Sequence, residues 1–336
     1  MPSNPPFLLD STKLKAWMAC PRRFQLGYLQ HLEPAGATSV HLQFGKAVHA
    51  GLEILENELA AHFGIETALL DALEETRRLY PMDAYPDEPA KTTESIARVL
   101  VWYAEQFYRG EDGLETAPAL RPVANEQPFC ISLDALVQAG SIHEGHLRQA
   151  GFESAASLPR ISICGRFDSL VEGPAAGEFW VRDRKTSTRA MTPWYFNQYQ
   201  PNVQVSLYTW IARQIWPKRH IKGVIIEGIQ VGASYCRFIR KEFKPWPEVL
   251  EEFLVSMLIA IRQMDEAGVF RGPAPALLPP NEAACMSDGM PCSYRQLCST
   301  HPRIRQEIIA SAYRPREPWS PLDEVGLPTI ETLGIE

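Results

Sequence analysis

Three residues of this chain have the types and spacing to do chemistry together. Asp168 lies in ISICGRFDSLVEG, and Asp183 and Lys185 lie in EFWVRDRKTS. The Gly/Pro/Ala-rich turn between these stretches makes Ile161 to Ser187 read as two β-strands. Strand side chains alternate faces, so Asp183 and Lys185 are expected to project from the same side. Two carboxylates and an ammonium at a strand end can hold a divalent metal and steady a phosphate or a water. By itself the pattern is common, so its weight depends on what the rest of the chain places around it.

The flanking elements can be read from periodicity and caps. Asp10-Ser11-Thr12 caps a helix with Leu14, Trp17 and Met18 on one stripe, and Cys20 precedes Pro21, which suits the first turn of a second helical piece. Taken alone, Cys20 reads as a small buried thiol, and Arg22 and Arg23 as a solvated corner. A loose loop from Glu33 to Ser39 leads to a helix from near Gly45 to about His62, buried through Val48, Leu52, Leu55 and Leu59. His49 lies beside that stripe with Glu53 one turn on, and by residue type alone it is a packed or surface histidine. Two scaffold helices follow, near Glu66–Tyr80 and Thr92–Tyr108, around the Pro- and acid-rich PMDAYPDEP. Ala124 to Leu133 reads as a short strand.

The segment Asp134 to Pro159 reads as an insertion. Its His143, Glu144 and His146 resemble a metal cluster, but no further ligand is near in sequence, so they are expected in a solvated turn. Beyond the central hairpin, Pro201 opens a helix marked by Val203, Leu207, Trp210, Ile211 and Gln214, with Gln204 and Tyr208 four apart on one face. KGVIIEGIQVG and YCRFIRKEF form a second hairpin, a helix runs from Pro247 to about Ala267, and GPAPALLPPN is an extended connector. Cys285, Cys292 and Cys298 then crowd into one short segment with Gly and Pro between them, a sign of metal ligation. Cys130, Cys164 and Cys236 lie on expected strands and read as core. The tail beyond Pro302, with one helical turn region, is expected to pack loosely.

Composition narrows the class. The 336 residues are 45% hydrophobic and 22% charged, enough for one large core with insertions or for two domains. A net charge of −7 is not that of a protein coating itself with nucleic acid, although a local basic track can coexist with an acidic exterior. There is no signal-like leader and no run of roughly 18 apolar residues, so a cytoplasmic location without a membrane partner is expected. The odd number of cysteines, seven, argues for reduced thiols or metal ligation over a disulfide framework. There is no glycine-rich phosphate loop, nucleophile elbow or helicase motif.

The order of motifs is more informative than any one of them: a helical Cys20, GKAVH, GRFD, DRK, QVSLY and a C-terminal cysteine triplet. This order resembles the RecB-type branch of the PD-(D/E)XK nuclease superfamily, including iron–sulfur members of helicase–nuclease and CRISPR-adaptation systems. The resemblance runs from about Ser11 to Cys298 and omits the insertion and the tail. It implies an α/β (α+β) fold with a central mixed β-sheet flanked by helices, a restriction-endonuclease-like core with a helical N-terminal part and a Cys-ligated C-terminal segment. The expected division is 1–120 helical, 121–270 nuclease core with its insertion at about 134–159, 271–301 cysteine segment and 302–336 tail, in one integrated domain.

The resemblance also implies roles. His49 is a metal ligand, Asp168 the bridging carboxylate and Asp183 the second one, with the backbone carbonyl of Arg184 completing the shell of Mg²⁺ or Mn²⁺. Lys185 is the catalytic lysine, and Gln204 and Tyr208 contact DNA or orient it. Cys20, Cys285, Cys292 and Cys298 match the ligands of a [4Fe–4S] cluster. Gaps of six and then five residues within the triplet depart from the commoner two-residue gap, which leaves open a structural Zn²⁺ on Cys285, Cys292, Cys298 and His301. The implied activity is a metal-dependent DNA nuclease, an exonuclease on DNA ends or single strands in recombination, repair or phage DNA metabolism. A helicase or recombination protein is the expected partner. The alternative is a non-cleaving subunit that binds DNA or a partner through the same fold.

Overall fold

The computed structural model describes residues 5–36, 40–81, 88–109, 120–173, 175–272, 275, 277–287 and 290–318. In chain order its helices are α1 (Ser11–Ala19), α2 (Pro21–Phe24), α3 (Val40–Ala60), α4 (Ile65–Leu79), α5 (Thr93–Ala104), α6 (Leu133–Gln138), α7 (Glu144–Gln149), α8 (Pro193–Phe196), α9 (Val203–Ile215), α10 (Pro247–Glu266), α11 (Arg295–Ser299) and α12 (Arg305–Ala312). Its strands are β1 (Phe7–Leu9), β2 (Leu32–Pro34), β3 (Arg121–Ser132), β4 (Ile161–Glu172), β5 (Glu178–Ser187), β6 (His220–Val231), β7 (Cys236–Phe243), β8 (Met286–Ser287), β9 (Met290–Pro291) and β10 (Tyr313–Pro315). A six-stranded mixed sheet has the order β1-β4-β5-β6-β7, with β3 also paired to β4. The β4–β5 and β6–β7 pairs are antiparallel, and β1–β4 and β5–β6 are parallel.

The chain forms two compact units from interleaved stretches. One takes Met1–Ala37, Pro128–Gly165 and Trp246–Glu336; the other takes Thr38–Gln127 and Arg166–Pro245. In the second unit, Phe44, Val48, Leu52 and Leu55 of α3 share a core with Ile96, Leu100 and Tyr103 of α5 and with Ile229 and Val231 of β6. Each large aliphatic side chain buried there contributes about 1.5–3 kcal/mol. Gly45 has a packing reason: a Cβ added to it would stand 3.2 Å from Thr186 Oγ1, so its absence lets α3 lie close on β5. Asn202 caps α9 by accepting from the Gln204 and Val205 N–H groups at 2.8 and 3.3 Å. The capping residue is therefore Asn202, not the Pro201 expected to open the helix.

In the first unit, Asp10 accepts from the Thr12 and Lys13 N–H groups, both at 2.8 Å, and starts α1. Cys20 is extended between α1 and α2, and Pro21 occupies the first position of α2, both as expected. Arg22 is not the solvated corner its type suggests. It is buried, its backbone N–H donates to the Pro279 carbonyl at 3.1 Å, and its Nε donates to that of Leu278. The connector has no regular structure among its described residues, but it is fastened along α2. The tail also differs from expectation: β10 pairs with β2, and Tyr313 is buried and stacked on Tyr294. Tail residues 319–336 and most of the loop at 82–87 lie outside the described residues.

Candidate functional site

The β4–β5 ladder pairs Ser169 with Arg182, and one step further the two strands present Asp168 and Asp183. Asp168 Oδ2 accepts the backbone N–H of Arg184 at 2.7 Å and stands 3.5 Å from His49 Nδ1 on α3. Lys185 Nζ lies 2.7 Å from Asp183 Oδ2, which places the two on one side of β5 as alternation predicts. Gln204 on α9 donates from Nε2 to Asp183 Oδ1 at 3.1 Å, and one turn on the Tyr208 hydroxyl donates to the Arg166 carbonyl at 3.0 Å. The Gln/Tyr pair thus holds a carboxylate and the GRFD backbone. Lys185 is reached through Asp183.

One residue of this site is missing from the motif reading. Glu126 on β3 groups with His49 and Asp168, their ligand atoms all within 4.8 Å of one another. Arg166 Nε ties down its Oε2 at 2.8 Å. Its backbone has φ +44°, a left-handed conformation that costs a non-glycine residue about 1–3 kcal/mol and is tolerated where the surroundings enforce it. A lone Glu at the start of an expected strand gave no sequence signal for this. An acidic residue preceding an alternating strand and well upstream of GRFD would have been the place to look.

His49, Glu126 and Asp168 offer an imidazole and two carboxylates, with Asp183 next to the group but held by Lys185 and Gln204. Such donors suit a hard divalent cation that tolerates one nitrogen ligand. A model of the PD-(D/E)XK nuclease superfamily matches residues 11–299, which span every residue named so far in the site. The chain belongs to the PD-(D/E)XK nuclease superfamily. No curated protein matches it at a significant level. Members of the superfamily are generally nucleases and usually use Mg²⁺ or Mn²⁺, and the mixed sheet with flanking helices is consistent with its restriction-endonuclease-like fold.

The electrostatics suit that chemistry. Burial lowers the His49 pKa, as do Arg184, Lys185 and Arg166, and together they outweigh Asp168, so the ring is neutral and able to ligate near pH 7. Burial raises the Asp168 carboxyl, but His49, Lys185 and Arg184 win and hold it below its ordinary value. Asp183 goes the other way: burial, with Asp168 opposite, pushes it up to about 6 despite Lys185. Burial also pushes Glu126 up to about 8, with Asp168 and Glu53 adding to the effect against Arg166. Lys185 is raised, because Asp183 and Asp168 outweigh its burial, and it keeps its proton at neutral pH.

Behind the site, β5 is clamped by a buried charge network. Alternation sends Arg182 and Arg184 to the face opposite Asp183 and Lys185. There Glu56 of α3 meets Arg182 Nη2 at 2.5 Å and Arg184 Nη2 at 2.6 Å. Glu227 of β6 approaches Arg184 Nε at 3.1 Å and Arg240 Nε at 2.6 Å, and the Tyr103 hydroxyl lies between the two glutamates at 3.0 and 3.1 Å.

In the other unit, Cys20, Cys285, Cys292 and Cys298 come together from the two ends of the chain. Cys285 Sγ reaches the Asn281 carbonyl at 3.9 Å, and the Cys292 N–H donates to the Cys285 carbonyl at 2.9 Å. Among the described residues, however, the four thiols do not form a group with all ligand atoms within 4.8 Å of one another. Cys20 Sγ accepts the Asn281 N–H at 3.2 Å. His301 is exposed and its Nδ1 caps a turn by accepting from Arg303 N–H at 3.3 Å. Cys164 and Cys236 are buried core residues, and Cys130 is half-buried on β3.

The solvated turn expected at His143, Glu144 and His146 holds for His143 and Glu144, which are exposed, but not for His146. His146 is buried, and both rings face Glu251 of α10 through Nε2, a carboxylate remote in sequence. Each ring's Nδ1 accepts the other residue's backbone N–H, at 3.3 and 3.4 Å. With its Nδ1 accepting, a neutral His146 ring carries its proton on Nε2 and donates it to Glu251, while His143 Nε2 stays 3.9 Å away. The three ligand atoms lie within 4.8 Å of one another. The cluster fastens α7 to α10. Glu144 pairs with Arg148 instead.

Proposed function

We propose that this chain is a metal-dependent deoxyribonuclease of the RecB type, an exonuclease acting on DNA ends or single strands in recombination, repair or phage DNA metabolism. The observation that carries this reading is the convergence of His49, Asp168, Asp183 and Lys185 at the end of the β4–β5 pair. In this reading His49, Asp168, Asp183 and the Arg184 carbonyl, with Glu126 beside them, would hold one Mg²⁺ or Mn²⁺, which would supply Lewis acidity to the scissile phosphate and to the attacking water. Lys185, fixed by Asp183 and cationic at neutral pH, stabilises the negative charge that develops on the phosphate. Gln204 keeps Asp183 in place, and Tyr208 braces the strand carrying Asp168.

Cys20, Cys285, Cys292 and Cys298 hold a [4Fe–4S] cluster in this reading. What supports it over a zinc bound by Cys285, Cys292, Cys298 and His301 is that the Cys20 and Cys285 sulfurs both meet the Asn281 backbone, while His301 Nδ1 caps its own turn. Without a helicase motif, unwinding falls to a helicase or recombination partner. The test is cleavage of end-labelled single-stranded and duplex DNA with Mn²⁺ or Mg²⁺, beside Lys185→Ala. The wild type should cut only with metal, and Lys185→Ala should be on the order of 100-fold slower or worse. Equal inertness of both proteins on every substrate and metal would leave the non-cleaving binding subunit as the function.

A further inference from the structure

The segment that follows β5 carries an aromatic side chain that none of the roles above uses. Trp194, in the short helix α8, is 83% exposed, although Met191 and Phe196 on either side of it are buried. Among the described residues no other ring stacks on it. The segment is anchored directly beside the lysine. Met191 Sδ and Phe196 Cζ occupy the space a Cβ on Gly228 would need, and Gly228 is the β6 register partner of Lys185. The Met191 N–H donates to Gln230 Oε1 at 3.3 Å, and Tyr195 packs edge-on against Phe196 with ring centroids 5.3 Å apart. The backbone under Trp194 is thus held in place while its indole stands in solvent next to the nuclease centre. A large exposed aromatic on a rigid support is a surface for a flat apolar partner.

The charge pattern says which partner. The chain as a whole is acidic, yet no Asp or Glu occurs between Asp183 and Trp194, a stretch whose cations on the site side or in solvent are Lys185 and Arg189. Arg189, between Lys185 and Trp194, is exposed and pairs with no carboxylate among the described residues. An exposed indole beside an unpaired cation and a cationic lysine matches a strand of alternating flat bases and phosphates better than an apolar protein surface.

We propose that Trp194 is a stacking platform for a nucleobase of a single-stranded or frayed nucleic acid strand, with Arg189 meeting an adjacent phosphate. This rests on the nuclease reading and adds a preference to it: unpaired nucleotides are gripped beside the scissile bond and stacked base pairs are not.

The test is binding of fluorescent single-stranded DNA by anisotropy without divalent metal, using oligonucleotides in which one base at a time is removed. Wild type should show a position where loss of the base weakens binding about tenfold, the scale of one base–aromatic stack. In Trp194→Ala that penalty should vanish, in Trp194→Phe it should largely return, and Arg189→Gln should lower the salt slope by about one. Trp194 is too exposed for its truncation to unfold the chain. An abasic profile that is the same in wild type and Trp194→Ala, in a protein that still cuts DNA, overturns the stacking role alone. A wild type that neither binds nor cuts DNA overturns the nuclease reading with it, and a protein ligand captured through Trp194 without any DNA binding does the same.

Discussion

Asp183 and Glu126 are carboxyls that the fold has made reluctant to ionise, and a cation would have to displace their protons. With Asp183 pushed to about 6 and Glu126 to about 8, both are raised above their ordinary values, so acid favours the protonated, metal-free centre and alkali the ligating one. Mn²⁺ affinity should therefore climb as pH rises through 6 towards 8, with protons released on binding. Calorimetry in buffers of different ionisation enthalpy measures that release, and an affinity flat across this range contradicts it. Glu126→Gln should remove the upper part of the climb and weaken Mn²⁺ by roughly 10-fold or more. At this scale Asp168, Asp183, Lys185 and His49 were legible because each lies in a short motif. Glu126 was not, because its place depends on a left-handed backbone and on Arg166, neither of which a single strand's pattern reveals.

The element that governs the site is β5, held by charges on one face so that it can offer them on the other. Arg182, Glu56 and Glu227 are fully buried, so the network is satisfied only as a set. Removing one partner leaves a buried charge unpaired, and Glu56→Gln should cost about 3–5 kcal/mol in urea unfolding. Burial alone would raise the Glu56 carboxyl, but Arg182 and Arg184 outweigh it and bring it to about 2. Because the folded value is depressed, this stabilisation is complete above about pH 4.5 and is lost as pH falls towards 2. Acid unfolding followed by circular dichroism should show a wild-type transition across that window that is blunted in Glu56→Gln. The long helices and the two hairpins were readable from periodicity sustained over several turns or alternations. The three-residue strands β1, β2 and β10 were not, since so short a run completes barely one alternation and is defined by its partner. Arg182 and Arg184 look like surface residues by type, and only the remote Glu56 and Glu227 explain their burial.

At the scale of the whole molecule, the chain sorts its charge and its cysteines across long sequence distances. Between Asp183 and Trp194 the chain carries no carboxylate, so a protein of net charge −7 still presents Lys185 and Arg189 without a competing acid on the segment where the proposed substrate would lie. Cys20 lies far in sequence from Cys285, Cys292 and Cys298, and in the proposed cluster a cross-link closing so long a loop would restrict the unfolded chain more than a local one does, by (3/2)RT ln n. Which metal the cysteines would take, and whether Cys20 would be a ligand, are therefore one question with a decisive comparison. If a [4Fe–4S] cluster spans all four cysteines, anaerobically purified protein is brown and contains iron and sulfide. Cys20→Ser then loses them as fully as Cys298→Ser does, and both variants melt earlier than wild type. His301→Ala, whose ring is exposed and committed to its own turn, keeps colour and iron. A local zinc site reverses the pattern: the protein is colourless with stoichiometric zinc, Cys20→Ser retains the metal, and His301→Ala loses it.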